Sequence, residues 1–153
     1  MATLDEVYRK FGEVSEAAQL LETELGNILI LLGVADANLI DEPDPERAAA
    51  LFKNINRQTL GQLLTRLQRS TDSAEHIDGL LSLALAERNR LSHHFYRQHN
   101  FRRNSTEGCT VMLTDLNAIH ETLLTAYKAV FSLSGVDLDK LVIASHPTAH
   151  VPI

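Results

Sequence analysis

The 153-residue chain has no tryptophan, a single cysteine, four prolines and only 5% aromatic residues. One cysteine, Cys109, excludes an internal disulfide framework and any zinc site built on paired cysteines, and it reads as a small packing residue. The opening residues, Met1 to Glu6, lack a basic stretch followed by an apolar core, so no secretory signal is expected. The longest apolar run, Ile28 to Leu32, is too short to cross a bilayer, and a cytoplasmic protein without a membrane role is expected. No P-loop, dinucleotide fingerprint or nucleophile elbow occurs, and no Glu-x-x-His tetrapeptide of the di-iron bundles. His146 and His150 are four apart, but Pro147 and the short tail make them a poor metal pair, so neither metal nor cofactor is expected.

Hydrophobic residues make up 44% of the chain and charged residues 22%, the balance of an ordinary globular protein. A core drawn mainly from Leu, Ala and Ile favours helix packing over a β-sandwich. The length suits one domain, expected over residues 1–145 with a tail at 146–153. The formal net charge of −6 argues against a general nucleic-acid coat protein. The charge is uneven, however. Between Glu87 and Arg103, arginines 88, 90, 97, 102 and 103 face one acid, a local +4 that leaves the rest of the chain at −10. His93, His94 and His99 lie in the same stretch, a combination that suits a confined anion site.

Periodicity divides the chain into helices. Thr3 and Glu6 have capping-box spacing. Leu4, Phe11, Val14, Ala18, Leu21, Leu25, Ile28 and Leu32 then mark one apolar face, with Gly33 as the expected C-cap. Asp44-Pro45 reads as an N-cap with proline in the first turn of a short helix ending near Arg57. Thr59 and Gln62 open the next, which runs to about Arg69. Asp72 and Glu75 open a long helix expected from Ser73 to His99, and Asn104 with Glu107 another, from Thr106 to Leu133. In that last helix Met112, Leu116, Ile119, Leu123, Ala126 and Val130 should face inward. Gly135 ends it, and Asp137–Ala144 forms a short addition. The expected fold is all-α, an up-and-down helical bundle of four to five helices.

One helix breaks its own pattern. The stripe Ile77, Leu81, Ala84, Leu91 and Phe95 has Arg88 in its middle. A guanidinium there needs a carboxylate from a neighbouring helix (Asp115 or Glu121, for instance), an interface or a wet cleft. Arg88-Asn89-Arg90-Leu91-Ser92-His93 spells R-N-x-x-x-H late in a long helix. On these residues the chain resembles the HEPN superfamily, helical-bundle domains defined by R-x-x-x-x-H, commonly with a polar residue after the arginine. The resemblance is close over residues 87 to 96 and loose over the bundle.

It implies metal-independent RNA cleavage by attack of a ribose 2′-hydroxyl on the adjacent phosphate. Arg88 would stabilise phosphate charge, His93 would transfer protons, and Asn89 would orient His93 one turn away. Arg90, His94 and Arg97 are the expected RNA contacts, with Arg102 and Arg103 as further steering charge or simply a solvated helix end. Phe95, Tyr96 and Phe101 are too few to form a stacking platform. Relatives that act as toxins carry a tyrosine two residues after the histidine; here that position is Phe95 and Tyr96 follows, so modification of a tyrosine by an antitoxin is not implied.

Arg88 and His93 lie about 140° apart on a straight helix. Either a homodimer, as is typical of such ribonucleases, or a helix distortion near Ser92 would have to bring them together. The rival expectation is a non-catalytic helical module that binds a nucleotide or a protein partner, as an antitoxin, immunity or regulatory subunit. A stress-response bundle with no nucleic-acid role is the third.

Overall fold

The computed structural model describes residues 1–70 and 75–133. Among them are six α-helices, one 3₁₀ segment and no strand: α1 (Leu4–Asp36), α2 (Pro45–Ile55), α3 (Leu60–Ser70), α4 (Glu75–His93), α5 (Phe95–His99), the 3₁₀ segment Asn100–Asn104, and α6 (Thr106–Ser132). The start expected at Asp72, the stop at Gly135, the helix at Asp137–Ala144 and the tail lie outside the described residues.

The local start signals act as their chemistry requires. Thr3 Oγ1 accepts from the Glu6 amide at 3.2 Å, and the Glu6 carboxylate accepts from the Thr3 amide at 2.8 Å. Asp44 Oδ1 accepts from the amides of Glu46 and Arg47 at 3.0 and 3.1 Å, with Pro45 in the first turn. The Gln62 side chain accepts from the Thr59 amide at 2.9 Å. At α6 the cap is Ser105, whose hydroxyl accepts from Gly108 N–H at 3.0 Å, in place of the Asn104 cap that spacing suggested.

Two stops differ from expectation. α1 passes through Gly33 and ends in a Schellman motif around Asn38, which takes a left-handed φ of 53°. Asn38 N–H donates to Ala35 and Leu39 N–H to Val34, while the Leu39 side chain is buried as the motif's apolar seal. Gly33 serves packing instead: a Cβ there would lie 2.8 Å from a Leu51 methyl of α2. The helix expected to run unbroken to His99 stops at His93. His94 leaves helical geometry (φ −128°, ψ −17°), and α5 starts afresh at Phe95.

α1 and α6 form the central pair, α4 closes on α6, and α2 and α3 lie along α1. Val14, Leu21 and Leu25 of α1 pack with Leu60 and Leu67 of α3, Leu81 and Phe95, and the α6 stripe Met112, Leu116, Ile119, Leu123, Ala126 and Val130, all buried. Contacts Phe11–Phe95 and Glu22–Arg88 set α4–α5 antiparallel to α1 in an all-α bundle, whose described residues form six helices where four to five were expected. Among the described residues, α1 alone is long and apolar enough to pass as a membrane span. Its buried residues, from Val7 to Ile30, face the bundle, while Leu20 and Leu31 of the same helix stay exposed.

Candidate functional site

The arginine in the apolar stripe is partnered. Arg88 leans toward α1, where its Nε and Nη2 both lie 2.9 Å from Glu22 Oε1. Both side chains are about one-quarter exposed, so the pair sits at the rim of the core with solvent on one side. The carboxylate is neither Asp115 nor Glu121 but one that lies 66 residues earlier in the chain. Arg88 Nη1 donates to Asn89 Oδ1 at 3.2 Å. Asn89 therefore orients Arg88, in place of the role on His93 that i,i+4 spacing suggested. Three of the five guanidinium N–H groups are used, and the other two have no partner among the described residues.

His93 ends α4 exposed to solvent, with a single ring contact, edge-on to His94 at 6.3 Å. α4 stays helical up to His93, so the break at His94 comes too late to swing the imidazole toward Arg88. No hydrogen bond or ring contact joins the two among the described residues. Asn89 and His93 instead share the outward stripe with Gly79, Ser82 and Ala86, and Leu83 beside them is 54% exposed. His94 is exposed and its backbone starts α5: its N–H donates to Arg90 O, and its carbonyl accepts from Gln98.

Arg90 occupies a different environment from the one its neighbours suggest. Its Nη1 and Nη2 grip both oxygens of Asp115 at 2.8 Å, Nε and Nη2 hold Glu87 Oε2 at 3.0 and 2.7 Å, and Nη1 also reaches Gln98 Oε1 at 3.2 Å. Those five bonds use all five guanidinium N–H groups, which leaves none for a phosphate. The expected RNA contact at Arg90 is thus a structural tie between α4 and α6. The paired carboxylates push the arginine's pKa still further above its ordinary value, and the hydrogen bonds from Arg90 hold Asp115 below the ordinary carboxylate range.

Asp115 has a second client. Its Oδ2 lies 2.7 Å from His99 Nε2, and His99 Nδ1 lies 3.0 Å from Arg102 Nη1. A guanidinium can only donate, so Nδ1 accepts and the ring proton sits on Nε2, aimed at Asp115. His99 is 4% exposed and packs on Phe95 with ring centroids 4.5 Å apart. It is the satisfied polar residue among the three histidines. A groove of about 490 Å³ opens onto this network, lined by His99, Arg102 and Asp115 together with Gln98, Val111 and Thr114 among others.

The basic island therefore splits. Arg88 and Arg90 are neutralised by Glu22, Glu87 and Asp115, whereas Arg97, Arg102 and Arg103 have no carboxylate partner among the described residues. Sequence reasoning missed Glu22 and the role of Asp115, and it missed Tyr8, which places its ring beside Tyr96 with centroids 6.5 Å apart. Only the Asp115 role left a trace, as an acid flanking the inward positions Met112 and Leu116. Among the described residues no three of His, Cys, Asp and Glu gather in a cluster that could hold a metal ion. No protein-family model, curated protein or solved structure matches the chain.

Proposed function

We propose that the chain is a cytoplasmic, metal-independent ribonuclease of the HEPN type that works as a homodimer, with the active site where two copies of α4 meet. The observation that carries this reading is the pairing of an exposed, unencumbered His93 with an Arg88 that keeps two free N–H groups, in the spacing R-N-x-x-x-H. One straight helix holds the two apart. The outward stripe of α4, built from Gly79, Ser82, Ala86 and Asn89, lets a second helix approach closely, and exposed Leu83 gives that contact apolar area. Across a two-fold axis, the Arg88 and His93 side chains of both copies would converge on one shared cleft, with His93 of one copy facing Arg88 of the other.

The chemistry follows from the groups. An imidazole takes the proton of a ribose 2′-hydroxyl, and the oxygen attacks the adjacent phosphorus. The guanidinium, already oriented by Glu22 and Asn89, donates its free N–H groups to the phosphoryl oxygens as charge builds on them. The second imidazole of the dimer returns a proton to the departing 5′-oxygen. The products are a 2′,3′-cyclic phosphate and a free 5′-hydroxyl, so protons and charge balance without an added reagent.

The test is incubation of purified protein with RNA in EDTA, comparing the parent with Arg88→Ala and His93→Ala. Cleavage should fall by at least a hundredfold in each. Activity that survives both substitutions, or that needs added metal, overturns the mechanism. The Arg88–Glu22 pair favours a second reading, a non-catalytic module of the same shape bound to a nucleotide or to a partner protein such as a cognate antitoxin or regulatory subunit. Absence of cleavage under every condition selects it.

A further inference from the structure

Tyrosine and phenylalanine are scarce in this chain, three and five residues respectively, yet four of them collect at one end of the bundle. The ring of Tyr96 lies 5.1 Å from Phe11 at a shallow 36° and edge-on to Phe95 at 5.2 Å, and the Tyr8 ring is 6.5 Å away. Phe95 is fully buried, but Tyr8 and Tyr96 are 45% and 38% exposed. Neither phenol hydroxyl has a hydrogen-bond partner among the described residues. Burial on one side and the neighbouring Tyr8 hold the Tyr96 phenol above its ordinary range, with Arg103 opposing, so it remains a neutral donor at physiological pH.

Two exposed cations lie in the same segment as Tyr96. Arg97 is exposed and follows Tyr96 directly in α5, and Arg103, exposed in the 3₁₀ segment, is close enough to Tyr96 to act on its charge. Neither has a carboxylate partner among the described residues, in a chain whose net charge is −6. An acidic protein that leaves two arginines without a carboxylate partner beside exposed aromatic rings presents a surface complementary to a polyanion with flat, stackable groups. A basic protein surface would be repelled here, and an acidic peptide would leave the ring faces unused.

We propose that Tyr8, Tyr96, Arg97 and Arg103 form a single-stranded RNA subsite, in which bases stack on the two tyrosines and the flanking phosphates lie on the two arginines. This rests on the ribonuclease reading and adds to it the substrate class: unpaired RNA held by α5 and the start of α1, just beyond His93. Double-stranded RNA keeps its bases stacked on one another and offers the tyrosines nothing. The subsite is sequence-tolerant, because every base has a stackable face.

The test uses the His93→Ala chain, so that binding is read without cleavage, and a fluorescein-labelled oligouridylate of twelve nucleotides in an anisotropy titration. Tyr8→Ser and Tyr96→Leu should each weaken binding by roughly tenfold, with Tyr96→Leu retaining apolar packing on Phe11. The exposed pair Arg97→Gln with Arg103→Gln should reduce the slope of log affinity against log salt by about 1.4, the value for two phosphates lost from a single strand. A duplex of the same length should bind more weakly than the single strand.

Affinity within twofold of the parent and an unchanged salt slope in these variants overturn the subsite, while cleavage by the parent leaves the ribonuclease reading standing. Equal binding of duplex and single strand also overturns it. Tight, tyrosine-dependent binding of the oligouridylate by a parent that never cleaves supports the subsite and overturns the catalytic reading alone. Should the tyrosine variants change only the monomer–dimer equilibrium in sedimentation, the surface is a contact between copies and the proposal falls.

Discussion

Gly108 is the position where a single methyl group should do most damage. It lies in the first turn of α6, where the 3₁₀ segment crosses the helix start. A Cβ built there would lie 2.6 and 2.7 Å from the carbonyl carbon and Cα of Arg102, and closer still to the carbonyl oxygen. Backbone cannot rotate away as a side chain can, so an ordinary 3.4 Å contact with the carbonyl oxygen needs a shift of the segment by more than about 1 Å. Overpacking costs about 1–3 kcal/mol, and against backbone the upper part of that range, about 2–3 kcal/mol, applies, against a gain in helix propensity of about 1 kcal/mol for Gly→Ala. The net expectation for Gly108→Ala is a loss of about 1–2 kcal/mol, or roughly 2–8 °C in Tm for a chain of this length. Gly12 supplies the control, because it is an exposed helical position where a Cβ meets nothing within 4 Å. Gly12→Ala should therefore raise Tm, as propensity alone dictates. Calorimetry on the two variants decides the matter. A Gly108→Ala chain stabilised like Gly12→Ala would refute the close crossing of the segment over α6, and with it the placement of Arg102 against His99.

Other outcomes follow from the polar network. Asp115→Ala leaves Arg90 without its two-pronged partner and His99 without an acceptor, and should cost at least about 2 kcal/mol in urea unfolding, allowing for partial exposure. Because Arg90 and then His99 hold the Asp115 carboxyl below its ordinary 3.8, its stabilisation is complete above that pH and is lost as the pH falls toward the depressed value. Asp115→Asn should accordingly flatten the acid limb of a stability–pH curve. His120 behaves with the same sign for another reason: burial, and then Lys10 with its Nζ 2.8 Å from Nδ1, hold its pKa below 6.5. Its contribution is whole above pH 6.5 and declines below it, so His120→Gln should remove a step in stability just under that value in a pH series of thermal melts.

What could be read from the chain was local or periodic. Thr3 with Glu6 and Asp44 with Pro45 sit within one turn of the amides they satisfy, and the stripe from Met112 to Val130 is buried at each position that its spacing marked. Gly33 misled because a glycine stops a helix only where apolar packing also ends. Here Val34 continues into the stop, and Leu39 seals it. The break at His94 has no proline or glycine to announce it. Leu91, Phe95 and His99 are each four residues apart and each buried, so the period runs across the break as though the helix continued. The partners of Arg88 and Arg90 were out of reach for a different reason. Both arginines lie beside acids in three dimensions, and only the fold decides that Glu22 goes to one and Asp115 to the other.

The thin attachment of one connection has a dynamic consequence. Between His94 and Asn104 only Phe95 and His99 are buried, and the 3₁₀ segment has no buried residue. The connection is held by Phe95 and Tyr96 against Phe11, by the Gln98–Arg90 bond, and by Asp115 through His99, to which Arg102 is tied back. Its amides should therefore exchange with solvent through an opening well below the free energy that unfolds α1 and α6. The arginines and tyrosine it presents can then shift or detach as a unit while the central helix pair remains intact.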